Sequence, residues 1–230
     1  MLLSAFADLI GSHDIFGFIV AIVISAFLVF ICIPIHELAH AFVAYKLGDK
    51  SVKYKGRLTF NPLAHIDPLG AAMIALIGFG WGKPCPIDSS RFKKPKRDLA
   101  FVAAAGPCAN LLLGWLFIFI YNLLYAVAPG FMAMTIGKYF VGSFLINTGY
   151  ISIYLGVLNL LPIPMFDGFT ILSAFLKPKT EFMIMENQQA ISVIIIILLF
   201  SGILTTPIQW IASFLISAFA WLSALPFSLL

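Results

Sequence analysis

Two histidines and a glutamate fall within five positions, His36-Glu37-Leu38-Ala39-His40. On a helix, residues i and i+4 share a face, so both imidazoles can reach one ion. A glutamate beside them can hold and deprotonate a metal-bound water, the chemistry of HExxH zinc hydrolases. A third ligand candidate stands far along the chain. Asp167 is the only acidic residue between Asp98 and Glu181, and it follows Pro162 and Pro164, which must break any helix there. His36 precedes Lys46 by ten residues, and Asp167 precedes Lys177 by ten. At helical rise that is roughly 15 Å from a basic loop in each case. An unpaired carboxylate at such a depth in lipid is costly. One Zn2+ per chain would offset that cost, bound by His36, His40 and Asp167 with a fourth place left for water.

The elements that must carry these residues are membrane helices. Hydrophobic residues make up 61% of the 230, charged residues 10%, and mean hydropathy is +1.03. A soluble domain of this size has no use for so much apolar surface. The long unbroken apolar runs also exclude a transmembrane β-barrel, whose strands alternate over roughly ten residues. Cys32, Cys85 and Cys108 are isolated, so neither a disulfide framework nor a thiolate zinc site is expected. The fold class is an all-α polytopic membrane protein, one membrane-embedded domain over 1–230.

Residues 1–13 are too short to span and read as a surface segment. Five spans are expected, over about 14–46, 98–126, 131–161, 189–204 and 207–225. The basic clusters Lys46–Arg57 and Arg91–Arg97, with Lys177 and Lys179 in a 177–187 loop, mark one side as cytosolic. The N-terminus is then outside and the C-terminus inside. These loops report topology and contact with anionic lipid, not nucleic acid. Both flanks of 58–90 are basic, so this stretch should dip into the membrane and return as a re-entrant hairpin. Its expected elements are a short strand at Gly56–Phe60 and a turn at Gly78–Gly82.

The stretches His36–His40, Asn159-Leu160-Leu161-Pro162 and Phe166-Asp167-Gly168 together resemble the site-2 protease family of intramembrane zinc metalloproteases. Gly56–Pro62, His65–Gly70, Gly82-Lys83-Pro84 and Ala105-Gly106-Pro107 are similar to its compact prokaryotic members. The likeness covers roughly residues 30–180. It implies zinc-dependent cleavage of a peptide bond within or beside a transmembrane segment of another protein, in a bacterial or archaeal cell membrane. Glu37 would be catalytic, and Asn159 would orient substrate or stabilise the oxyanion. The chain departs from larger members in having no PDZ-like insert, no cystathionine-synthase-type regulatory domain and no clear full span before the HExxH helix. A homo-oligomer or a regulatory membrane partner is compatible with this.

Blander roles stand beside the sharp ones. Asp167 also suits a helix cap, and Asn159 a helix C-terminus. His65 suits either a substrate contact or a loop anchor. Gly78, Gly80 and Gly82 either make a tight turn or let a substrate strand approach the backbone. Asn147 and Thr148 suit interhelical hydrogen bonds. A different class, a metal-ion transporter or sensor with the same His/His/Asp site, has no need of Glu37 and would show polar residues across both leaflets.

Overall fold

The computed structural model describes residues 2–77 and 80–227. The described residues form helices joined by loops, without a β-strand. A surface helix α1 (Leu2–Ser12) leads into the first long helix, Ile15–Leu47. That helix is α2 (Ile15–Phe27), a π-helical turn (Leu28–Cys32) and α3 (Ile33–Leu47). The wide turn has a local cause. Pro34 has no N–H for the preceding turn, and its ring crowds the carbonyl four residues back. The Ile33 N–H instead reaches the Leu28 carbonyl. Such π turns recur at functional sites, and this one ends four residues before His36.

Gly48 closes α3 with φ of 123°, a conformation that favours glycine. A loop follows with a short helix α4 (Ser51–Tyr54), and then α5 (Pro68–Ile77). Next come α6 (Pro95–Val127), the short α7 (Pro129–Ala133), a π-helical stretch (Ile136–Gly142) and α8 (Ser143–Asn159). The last helices are α9 (Asp167–Ser173), α10 (Pro178–Glu186), α11 (Gln188–Phe200) and α12 (Thr205–Ala224).

Among the described residues, four helices are long and apolar enough to cross a bilayer: Ile15–Leu47, Pro95–Val127, Ile136–Asn159 and Thr205–Phe227. The expected 189–204 span differs. α11 is only 13 residues long, about 20 Å at helical rise against a hydrocarbon core of about 30 Å. It reaches span length only together with α10, from which it is bent by 68°. The expected 177–187 loop is therefore mostly the helix α10.

α6 is the hub, packing against α3, α8, α9 and α12. It packs closely on α8, where a Cβ on Gly114 would lie 2.8 Å from the Gly149 carbonyl. In lipid, where apolar burial separates nothing from solvent, close backbone packing of small residues is what holds helices together. Large apolar side chains such as Phe30, Phe42, Leu112, Trp210 and Phe214 stay exposed on the outside of the bundle, as lipid contact requires.

Between α3 and α6 the described residues form the helix α5 and a returning extended segment, with no β-strand, and their one β contact is the antiparallel bridge Ile66–Gly82. The strand expected at Gly56–Phe60 is absent because other partners take its polar groups. The Arg57 N–H bonds the Val52 carbonyl and the Thr59 carbonyl accepts from His65 Nε2. The buried Arg57 guanidinium donates to the Ala64 and Lys83 carbonyls, clipping three stretches of chain together.

Candidate metal centre

His36 and His40, one turn apart on α3, turn their Nε2 atoms towards each other at 3.0 Å. Asp167 closes the group: Oδ2 is 3.2 Å from His36 Nε2 and Oδ1 is 3.4 Å from His40 Nε2. The third residue reaches them by a sharp reversal after α8. Pro162 and Pro164 end the helix, and Gly168 lets the chain double back. A Cβ there would sit 2.2 Å from the Leu160 carbonyl and 2.3 Å from that of Leu161. Glycine is required by this contact, and it delivers Asp167 at the first position of α9.

The site's hydrogen bonds set which atoms are bare. His40 Nδ1 lies 2.7 Å from the Val102 carbonyl. A carbonyl only accepts, so Nδ1 carries the proton and neutral His40 presents a lone pair at Nε2. Asp167 Oδ2 is buried without a hydrogen bond; its contact with His36 is close but not aligned as one. One ligand atom from each of the three residues lies within 4.8 Å of the others. A divalent cation fits such a set. Gly106 of α6 provides the space, since a Cβ there would fall 2.4 Å from His40 Nε2 and 2.6 Å from His36 Nε2.

A cavity of about 540 Å³ opens beside the cluster. Its lining includes His36, Glu37, Asn110, Asn159, Asp167 and Ile196. Glu37 Oε2 accepts a hydrogen bond of 3.0 Å from the Cys85 N–H, so the loop after α5 holds the carboxylate. Asn159 faces the same cavity from the end of α8, and its Nδ2 donates to the Leu155 carbonyl. Gly80 and Gly82 also line it. Packing alone already demands glycine there: a Cβ would lie 2.2 Å from the Gly70 carbonyl or 2.6 Å from Ile33 Cγ2. Gly78 lies outside the described residues. His65 is not brought to the cavity; it is fully buried in the loop, with its carbonyl accepting from the Lys83 N–H.

Three contributors were not singled out as site residues from the sequence: the Val102 carbonyl, Gly106 and Asn110. Backbone acceptors leave no sequence signal. Asn110 does leave one, because a carboxamide in an apolar helix requires a polar partner.

A helical membrane domain with a buried His/His/Asp group, a neighbouring glutamate and an adjoining cavity defines a membrane metallohydrolase. The model of the peptidase family M50 matches residues 24–202. The chain belongs to that family, the one its motifs resemble, and is a metallopeptidase. YwhC of Bacillus subtilis, a protein named as a candidate zinc metalloprotease, is 36% identical over 76% of this chain and 78% of its own length. Rip2 of Mycolicibacterium smegmatis, named likewise, is 33% identical over 77% of this chain and 66% of its own. Rip2 of Mycobacterium tuberculosis is 33% identical over 76% and 65%. The chain thus spans just under two thirds of the Rip2 proteins. No solved structure gives a significant match.

Proposed function

We propose that the chain is a zinc-dependent intramembrane endopeptidase that cleaves single-span membrane proteins. One observation carries the reading. The Glu37 carboxylate lines one cavity together with His36 and Asp167 of the His36/His40/Asp167 group, in helices whose outer faces are apolar. Zinc bound by those three residues would polarise the scissile carbonyl and lower the pKa of a coordinated water to about 7. Glu37, steadied by the Cys85 N–H, takes the water's proton and hands it to the leaving amine. Asn159 at the cavity wall steadies the developing oxyanion through its carboxamide. Substrate must unwind locally, because helical hydrogen bonds cover its carbonyls. Gly80 and Gly82 offer backbone on which an unwound strand can align, with Gly78 beside them in sequence. His65 supports that edge from behind, through the pairing of its own backbone with Lys83.

The basic loops support a cytosolic position for the cavity, with the N-terminus outside. The transporter alternative gains nothing, since it leaves Glu37 without a task. The deciding experiment compares Glu37→Gln with wild type on a panel of single-span substrates, with zinc measured in both. The variant is expected to keep about one zinc per chain and lose cleavage by at least about 100-fold, the scale of a lost general base. Full activity in Glu37→Gln would overturn the mechanism.

A further inference from the structure

The hub helix α6 presents one face to the two histidines, with Val102, Gly106 and Asn110 spaced four residues apart. Positions i, i+4 and i+8 form a single stripe, and each member meets the cluster at a different atom. The Val102 carbonyl takes the Nδ1 proton of His40 at 2.7 Å. Gly106 lies under the two facing Nε2 atoms. Asn110, 3% exposed, brings its carboxamide to 3.1 Å from His36 Nδ1. The stripe therefore treats the two histidines in parallel, one by a backbone acceptor and the other by a side chain.

The choice of amide atom facing His36 decides what that histidine can do. If Asn110 donates an N–H to Nδ1, the proton of neutral His36 must sit on Nε2, and Nε2 cannot ligate. If the carboxamide oxygen accepts from Nδ1–H, Nε2 is bare and matches His40. The two arrangements differ by a half-turn of an amide whose oxygen and nitrogen occupy nearly the same positions. With Nδ2 towards His36, the buried Asn110 Oδ1 has no hydrogen bond. The half-turn gives that oxygen a donor. It also completes the rule that a metal-ligating histidine donates its other ring N–H to a fixed acceptor.

We infer that Asn110 is a positioning residue for the metal: its carboxamide oxygen accepts from His36 Nδ1–H and so fixes His36 as an Nε2 ligand. The inference rests on the metallopeptidase reading and adds to it a residue that acts through His36, not on substrate.

The test is zinc affinity of the purified full-length chain in detergent, by competition with a chromophoric chelator. Wild type is compared with Asn110→Leu, Asn110→Ala and Asn110→Asp. Removing an outer partner of a ligating histidine costs 10- to 100-fold in metal affinity, which is the loss expected for Leu and Ala. A carboxylate can only accept, so Asn110→Asp is expected to stay within about threefold of wild type. Thermal midpoints in excess EDTA separate a metal effect from a folding effect, and if Asn110→Leu does not fold, the Ala and Asp pair decides. Wild-type affinity in Asn110→Ala would overturn the inference. So would a loss in Asn110→Asp equal to that in Asn110→Ala, which would make the contact a donor. Absence of zinc binding in wild type would instead strike the metallopeptidase reading itself.

Discussion

Gly106 shows how little room the cluster leaves. The two Nε2 atoms are 3.0 Å apart, and a methyl group on Gly106 would lie 2.4 and 2.6 Å from them. Gly106→Ala is therefore expected to reduce bound zinc from about one per chain to well below half, as metal analysis would measure, and to abolish cleavage with it. Overpacking of this kind commonly costs 1–3 kcal/mol, so the variant should still fold; an Ala variant holding a full equivalent would refute the placement. The cluster itself was legible in the sequence. Histidines four apart share a helical face whatever the fold, and a lone acidic residue behind two prolines in apolar sequence has few other purposes. Asn110 was harder to read. Its partner is 74 positions away, and nothing local identifies it.

At the scale of elements, the long spans were readable within a few residues because a bilayer imposes a length. The connections were not, because tertiary partners decide them. Arg57 is the clearest case: its buried guanidinium gathers the Ala64 and Lys83 carbonyls and the expected strand gives way. A second latch joins the end of α3 to the segment before α6. The buried Asp49 carboxylate accepts from the Ser51 N–H at 3.0 Å and the Asp88 N–H at 2.8 Å, with Arg91 Nε at 3.7 Å. Burial alone would raise its pKa, but the hydrogen bonds from Ser51 and Asp88 and the charge of Arg91 outweigh it and hold the group below the usual carboxylate value. A lowered folded pKa means that the latch's contribution is fully present above the unfolded value, about 3.9, and is lost as pH falls through the folded one. Protease nicking of residues 48–57 and 80–91 should then be constant from pH 8 to 5 and rise only in stronger acid. Asp49→Asn should show raised nicking already at pH 7, at a cost of about 1–3 kcal/mol. An Asp49→Asn chain as resistant as wild type at neutral pH would show that the latch contributes nothing.

At the scale of the molecule, the three basic clusters gather at one end through contacts that cross between elements. Lys96 Nζ pairs with Glu181 at 2.8 Å, Arg91 approaches Asp49, and Lys55 Nζ donates to the Pro86 carbonyl. Of the 14 Lys and Arg, Lys138 stands apart near the opposite end of the long helices. The positive-inside rule then predicts that this end faces the cytosol. Lys50→Cys, Lys94→Cys and Lys179→Cys, each in a Cys85→Ser, Cys108→Ser background, should resist a membrane-impermeant maleimide in intact cells and react in inverted vesicles. Labelling of any one in intact cells would reverse the topology. A loosely held part of the bundle is α11, short, bent from α10 and without a buried residue among those described. Its Ile196 borders the cavity, so a loosely tied helix forms part of the wall around the chemistry.

The bare backbone of Gly106 also has a diagnostic use. A relative can retain the two histidines, the glutamate and the aspartate intact and still carry alanine, serine or anything larger at this place. Its motif would then promise an active peptidase that its helix disfavours, because a side chain there would press on both histidine Nε2 atoms. Sorting working members from silent ones therefore calls for inspecting a position that performs no chemistry and is informative only by being empty.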